Sequence, residues 1–303
     1  MTPKLFDIHC HLNLDDFASD WQSVLDDTLA QDTWLINVGA DWESSQRAVE
    51  MAQTKPEGIW ATVGFHPTDS GQVTDEIWAQ ACELAKDKKV VAIGECGLEY
   101  YRLIKNYKLE IKNEDADTEK EKQKELFRKH IELAIELDKP LMIHCRPGEG
   151  SQDAYEEAIE ILSEYKKTAG EKLRGDFHFF AGNWATAQKC LDLGHAPLEN
   201  AIPSENGTTN VARGDVSLTG FSLSFTGVIT FSQQYDEVIK NTPLDKLMAE
   251  TDAPFVAPVP YRGKRCEPLY VAEVVKRLAE IKGISADEMA KITVANGRKM
   301  FNI

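Results

Sequence analysis

Short apolar runs alternate with longer amphipathic stretches along the chain. The runs are Leu5–His9, Trp34–Val38, Ile59–Val63, Val90–Gly94, Leu141–His144, Asp176–Phe180, Phe221–Phe225 and Leu247–Thr251. Several are almost continuous in apolar residues, the pattern of parallel strands covered on both faces. Between the runs, apolar residues recur at helical spacing. Trp21, Val24, Leu25, Thr28 and Leu29 make one stripe, and Phe127, Ile131, Ala134 and Ile135 another. Val271, Val274, Val275, Leu278 and Ile281 make a third. Ser285, three residues before Glu288, opens a last helix that runs to about Lys299.

Eight such units predict an α/β protein, a closed TIM-type (β/α)8 barrel with an extra C-terminal helix. An open doubly wound sheet is the alternative. It would usually carry a Gly-rich phosphate turn after its first strand, whereas here that strand runs into Asp7-Ile8-His9-Cys10-His11. Two segments break the repeat. Leu103 to about Thr118 is polar and charged and follows the fourth strand. Residues 195–220 carry Pro197, Pro203, Asn206-Gly207 and Gly214, and lie between the sixth helix and the seventh strand. Both read as loop insertions (near 103–118 and 195–220) in a single barrel domain over residues 1–303.

Composition narrows the setting. With 42% hydrophobic and 28% charged residues, the chain is of the soluble globular kind. No apolar run approaches the ~18 residues that a membrane span needs, and the N-terminus reaches Asp7 without a signal peptide's apolar stretch. These features predict a cytoplasmic protein with no membrane partner. The six cysteines are scattered, with no C-x-x-C pair, and read as reduced thiols rather than a disulfide frame or zinc finger. A net charge of −16 opposes non-specific coating of nucleic acid. It leaves room for a local cationic patch.

Barrel chemistry gathers at the C-terminal ends of strands. Those ends carry His9 and His11 from the first strand, His66 just after the third, and Glu95 from the fourth. The fifth, sixth and eighth carry His144, His178 and Asp252. Five of the 7 histidines fall in this set. His9 and His11, two apart in a strand, share one face and can chelate one divalent cation. A lone H-x-H is a weak signal, His144 alone reads equally as a core histidine, and Asp252 alone as a turn cap. Their joint placement carries the reading. Glu95 can bridge two ions, with Asp252 completing the first and His144 and His178 holding the second, an arrangement able to activate water.

The same residues carry a family resemblance. Phe6-Asp7-Ile8-His9-Cys10-His11-Leu12, Val63-Gly64-Phe65-His66-Pro67 and Ile93-Gly94-Glu95-Cys96-Gly97-Leu98-Glu99-Tyr100-Tyr101 come first. Lys139-Pro140-Leu141-Met142-Ile143-His144-Cys145-Arg146, Phe177-His178-Phe179-Phe180-Ala181-Gly182 and Leu223-Ser224-Phe225-Thr226-Gly227 follow. Glu250-Thr251-Asp252-Ala253-Pro254 and Arg262-Gly263-Lys264-Arg265-Cys266-Glu267-Pro268 close the series. In this order they resemble the TatD-like metal-dependent hydrolases of the amidohydrolase superfamily. The resemblance implies two divalent metal ions (Mg, Mn or Zn), held by His9, His11, Glu95 and Asp252 and by Glu95, His144 and His178. It implies deoxyribonuclease activity of the 3′-to-5′ exonuclease type, with Asp252 as general base and Glu95 as the second catalytic carboxylate. The partners expected are DNA ends or short oligonucleotides. His66, Arg102, Arg146, Arg262, Lys264 and Arg265 are the candidate substrate contacts, and Tyr100, Tyr101 and Phe65 candidates for stacking on a base. Glu99 stands where the family usually has Asp, and Cys266 where Asn is common, both expected near the substrate rim.

Two other functions fit the residues. One is a small-molecule ester or amide hydrolase, or an aminoacyl-ester deacylase, on the same barrel. The other is a metal- or nucleic-acid-binding protein without turnover. The absence of a lysine at the end of the fourth strand disfavours barrels that bridge their metals through a modified lysine.

Overall fold

The computed structural model of the chain describes residues 2–104, 113–193 and 220–303. Eight strands follow one another round a single parallel sheet in the order β1 to β8. They are β1 (Leu5–Cys10), β2 (Thr33–Asn37), β3 (Ile59–Val63), β4 (Val90–Glu99), β5 (Leu141–Arg146), β6 (Gly175–His178), β7 (Phe221–Phe225) and β8 (Leu247–Ala249). Past the end of β8 the chain returns to β1. Cys10 bridges Ala253 in parallel, the His11 amide donates to the Ala253 carbonyl at 2.7 Å, and the Asp252 amide donates to the His9 carbonyl at 2.9 Å. These contacts close the barrel at its C-terminal end.

The helices between and after the strands are α1 (Trp21–Ala30), α2 (Trp42–Gln53), α3 (Asp75–Leu84), α4 (Tyr101–Ile104) and α5 (Asn113–Leu137). Then come α6 (Asp153–Ala169), α7 (Trp184–Asp192), α8 (Asp236–Asn241), α9 (Val271–Lys282) and α10 (Ala286–Phe301). The stripes read from sequence face the barrel: Val24 and Leu25 of α1, Phe127 and Ile131 of α5, and Val274 and Leu278 of α9 all lie in the main core. Helix α10 begins as expected, with the Ser285 hydroxyl capping the Glu288 amide at 3.2 Å. None of the described helices is long and apolar enough to cross a membrane.

Strand boundaries depart from the sequence reading where the chemistry lies. β4 runs on to Glu99 instead of ending at Gly94. Its register with β5 shifts between Ile93 and Cys96, because the Glu95 amide leaves its neighbour and donates to the Gly39 carbonyl at 2.7 Å. β1 has a matching irregularity between Asp7 and Cys10. Bulges of this kind re-aim a side chain, and here they flank His9 and Glu95. The bulge in β4 needs Gly94: at φ +148°, a Cβ there would lie 2.4 Å from the Met142 carbonyl oxygen. β6 stops at His178 because Phe179 turns to φ +45°. β8 stops at Ala249, and Asp7 takes up the released Thr251, accepting from its amide at 2.8 Å and its hydroxyl at 2.6 Å.

The first expected insertion is also corrected. Residues 113–118 are helical, the opening of α5. Acidic residues suit a helix N-terminus, and Glu119–Lys122 and Glu121–Lys124 pairs at 2.6 and 2.9 Å follow along its surface. Residues 105–112 and the second expected insertion, up to 219, lie outside the described residues.

A second, smaller apolar cluster fills the other end. Phe6 and Ile8 of β1, Trp34 and Ile36 of β2, Met142 of β5 and Met248 of β8 meet there with Val294, Met300 and Phe301 of α10. Strands from opposite sides of a barrel meet only inside it, so α10 plugs the N-terminal end. Gly297 makes this approach possible, since a Cβ there would sit 2.7 Å from Phe6 Cδ1 and 3.2 Å from Ile8 Cγ2. Phe6 cannot retreat, being packed against Trp34, Trp60 and Phe301. Gly297→Ala should therefore cost about 1–3 kcal/mol in urea unfolding, whereas Gly71→Ala, which meets nothing within 4 Å, should be close to neutral.

Candidate active site

Five imidazoles and six buried or nearly buried carboxyl groups converge at the C-terminal end. Glu95 sits at their centre and divides its oxygens. Oε1 lies 2.9 Å from His144 Nδ1, 3.0 Å from His178 Nε2 and 3.9 Å from His66 Nε2. Oε2 faces the other way, 3.7 Å from both His9 Nε2 and His11 Nε2. Asp252 Oδ1 closes that side, 3.4 Å from His11 Nε2 and 3.7 Å from His9 Nε2. The Nε2 atoms of His9 and His11 are themselves 3.0 Å apart. All six residues expected from the sequence are thus brought together, in two groups that share Glu95. His9, His11 and Glu95, and Glu95, His144 and His178, each place their donor atoms within 4.8 Å of one another.

The charge state follows from burial and neighbours. Burial, with His178 and His11 close by, pushes His9 well below its ordinary pKa, so its ring is neutral. Burial also depresses His11, but Asp252 and Glu95 outweigh it and raise the group. The same contest raises His144, through Glu95 and Glu99, and His178, through Glu95 and Glu250. Burial opposes the charge on Glu95, yet His178 and His144 hold it well below the usual carboxylate range. His66 accepts from the Thr68 amide at Nδ1 (3.2 Å), which leaves its N–H at Nε2, aimed at Glu95. Burial and the nearby His144 push its pKa to about 3, so it is a neutral donor.

A cation fits this donor set. Carboxylate oxygens and imidazole nitrogens converge with no Lys or Arg buried among them; among the described residues the buried Lys or Arg is Lys246, at the opposite end of β8. The Nδ1 atoms of His9 and His178 are buried with no hydrogen-bond partner. Nitrogen and oxygen donors of this mixture suit Mn or Zn better than an all-oxygen cation such as Ca.

Sequence reasoning missed a polar layer directly beneath. Asp176 accepts from the hydroxyls of Ser222 at 2.6 Å and Ser224 at 2.5 Å. The Ser224 hydroxyl also reaches Glu250 Oε2 at 2.9 Å. Glu250 Oε1 accepts from the Phe179 amide at 2.6 Å and lies 3.6 Å from His178 Nδ1. Burial pushes Asp176 up to about 7, helped by the charge of Glu250. The signal was available in part: Asp176 stands two residues before His178 in one strand and so shares its face, whereas Asp7 is separated from His9 by the irregularity in β1 and Glu250 lies past the end of β8. Glu99 belongs to this set as well. It is fully buried, and its Oε2 lies 3.2 Å from His144 Nε2.

The expected rim is partly redrawn. Arg102 is half exposed, 3.9 Å from Glu99, and Arg146 is exposed, stacked 4.2 Å over the Tyr101 ring. Arg262 stacks 4.0 Å over Phe231, and Lys264 is exposed. Arg265, however, spends both terminal guanidinium nitrogens on Asp20 at 2.9 and 2.7 Å and one of them on Glu267 at 3.2 Å; it ties loops together and is not free for a phosphate. Tyr100 and Phe65 are not stacking faces. Tyr100 is buried with its hydroxyl on Glu157 at 2.8 Å, and Phe65 packs against Trp78 and His130. Glu99 and Cys266 are both fully buried rather than on the rim, Cys266 behind Thr251.

A family model described as TatD related DNase matches residues 6–302. The chain belongs to this TatD family. It is 34% identical over 302 residues to YabD of Bacillus subtilis, described as an uncharacterized metal-dependent hydrolase, with 99% of each chain covered. It is 28% identical over 307 residues to a 3′-5′ ssDNA/RNA exonuclease TatD of Pectobacterium parmentieri, covering 99% of this chain and 100% of that one. Among solved structures, YjjV, a TatD homologue of Escherichia coli K12, superposes with a TM-score of 0.76 at 24% identity over the whole of both chains. That likeness supports the barrel fold.

In this TatD-family barrel, one histidine stands outside the cluster but fixes its edge. His130 of α5 donates from Nδ1 to the Leu126 carbonyl at 2.8 Å and accepts at Nε2 from the Phe65 amide at 3.1 Å, next to His66. Protonating Nε2 breaks the second bond, and burial lowers the pKa from 6.5 to about 4. The folded value lies below the unfolded one. Its stabilising contribution is therefore complete above pH 6.5 and is lost as the pH falls toward 4. Denaturant unfolding of His130→Gln should lack that part of the acid-side slope, about 3 kcal/mol between the two limits.

Proposed function

We propose that this chain is a divalent-cation-dependent deoxyribonuclease that shortens single-stranded DNA from the 3′ end. The observation that carries the reading is the division of Glu95, one oxygen toward His144 and His178 and the other toward His9 and His11. The family and the exonuclease named among its relatives support phosphodiester substrates and the 3′ direction.

His9, His11, Glu95 and Asp252 would hold one ion, and Glu95, His144 and His178 the other. Bound divalent cations supply Lewis acidity at the phosphoryl group and lower the pKa of an attacking water. The protein's part is positioning and proton handling. Asp252 stands at the open edge of the cluster and takes the proton of the attacking water on its carboxylate. His66, neutral and with its Nε2–H facing the cluster, donates to a phosphoryl oxygen without adding a charge. Arg102, Arg146 and Arg262 hold neighbouring phosphates at the rim. Beneath, Glu99 orients His144 and Glu250 orients the strand end that carries His178. Such outer carboxylates commonly tune metal affinity 10–100-fold.

A manganese- or magnesium-loaded preparation should shorten a 5′-labelled single-stranded oligonucleotide stepwise. Glu95→Gln should lower the rate by at least about a hundredfold while circular dichroism stays unchanged. Turnover that survives this substitution would refute the site, and turnover of lactones or aminoacyl esters but not of oligonucleotides would refute the substrate. Glu250→Gln keeps the shape and removes the charge. It should weaken manganese binding about 10–100-fold, read by titration calorimetry.

A further inference from the structure

The described residues expose four large apolar side chains: Phe231, Leu244, Phe255 and Val259. Leu244 stands alone near the start of β8. The other three lie together on two loops packed against each other at the C-terminal face, those after β7 and after β8. The Val259 amide donates to the Thr230 hydroxyl at 2.9 Å, and a Cβ on Gly227 would lie 2.4 Å from the Val256 carbonyl oxygen. Arg262 joins the loops, donating to the Ala257 carbonyl at 2.8 Å while its guanidinium covers the Phe231 ring.

Phe255 is the member nearest the chemistry. It is 50% exposed, three residues after Asp252, and its ring centroid is 6.3 Å from that of His11. Its backbone is fixed by a hydrogen bond from its amide to the Asp252 carbonyl at 2.8 Å, and the preceding Pro254 carbonyl accepts from the Cys266 amide at 3.0 Å. An aromatic face is thus held rigidly in water beside a site for a phosphate. Scattered apolar exposure is ordinary, but an exposed aromatic ring anchored through its backbone beside the cluster is placed to receive a flat, π-faced group.

We propose that Phe255 is the base-stacking wall of this site and selects unpaired nucleotides. This deepens the nuclease reading and rests on it. Every base offers a π face, so stacking tolerates any sequence. In a duplex those faces are already covered by neighbouring bases. A single-stranded end can lay its base on Phe255 while its phosphate reaches the cluster beside His11.

The test compares a single-stranded oligonucleotide with one whose 3′-terminal nucleotides lack their bases. Wild type should favour the base-bearing substrate about 5- to 150-fold in kcat/KM. Phe255→Ala should lose that preference and leave the rate on the baseless substrate unchanged, and Phe255→Trp should restore it. The Trp variant should also show quenched indole fluorescence when the base-bearing oligonucleotide binds with the catalytic cation withheld by a chelator. Equal cleavage of both substrates by wild type and both variants would overturn the stacking wall and leave the nuclease reading standing. Failure of wild type to cleave either would overturn both. A shift to monomer on Phe255→Ala in sedimentation, with substrate preference unchanged, would reassign the patch to contact between copies of the chain.

Discussion

Too many carboxyl groups buried at one end of a barrel is the constraint from which the rest follows. Asp7, Glu95, Glu99, Asp176, Glu250 and Asp252 are all buried there, and among the described residues no buried arginine or lysine joins them; Arg102 approaches Glu99 from the half-exposed rim at 3.9 Å. Anions out of water are costly unless something positive or a set of hydrogen-bond donors meets them. The protein uses three means. Hydroxyls and amides satisfy Asp7 and Asp176. Imidazoles meet Glu95 and Glu99. Protonation is the third, with Asp176 poised near neutrality. What these leave is a set of carboxylate oxygens and imidazole nitrogens converging at His9, His11, Glu95 and Asp252, a donor set that suits a cation.

The barrel bears this cost by separating its functions along its axis. The N-terminal end is a dry plug, in which α10 seals Phe6, Ile8, Trp34 and Met248 from solvent. The polar layer follows, then the cluster, then the rim. Backbone irregularities fall at the boundary between plug and cluster, in β1 and β4. A regular strand there would keep its amides in the ladder and present side chains at fixed intervals. Moving the Glu95 amide to Gly39 breaks that regularity and brings the carboxylate between the histidines of β1 and those of β5 and β6. Stability at one end pays for strain and charge at the other.

Much of this was legible in the sequence. The strand count, the C-terminal helix and its Ser285 cap, and the meeting of His9, His11, Glu95, His144, His178 and Asp252 follow from periodicity and from the rule that barrel chemistry lies at strand ends. Strand limits were less legible because the deciding contacts are tertiary. Asp7, 244 residues from Thr251, ends β8, and Gly39 lets β4 run past Gly94. The opening of α5 was missed because its residues are polar on all sides, and a solvated helix without an apolar stripe has no periodic signal. The polar layer was overlooked for a different reason. Asp7, Asp176 and Glu250 sit within motifs where the more familiar ligand two residues on drew the attention. The aromatic expectations failed at Tyr100 and Phe65 because exposure, not residue type, decides whether a ring can stack, and exposure is set by what packs behind it.

The net charge of −16 looks ill-suited to a nucleic-acid enzyme, yet it clarifies what such a site can select. A long duplex laid over this surface would meet repulsion from most of it, with few phosphates neutralised and little counterion release in return. The rim offers a few cations, two of them, Arg146 and Arg262, laid over aromatic rings. A guanidinium fixed on a ring keeps its outward edge free for phosphate oxygens and loses little freedom when they arrive. One strand end needs no more than that: a phosphate at the cluster, one or two more at the rim, and a base against an apolar wall. The acidic body then works as a filter, since the cationic mouth attracts only over about the 10 Å that salt allows, a range that a free end can enter and the flank of a duplex cannot follow. The net charge of the chain and the few cations at its mouth are thus in keeping with the proposed substrate, a short unpaired terminus.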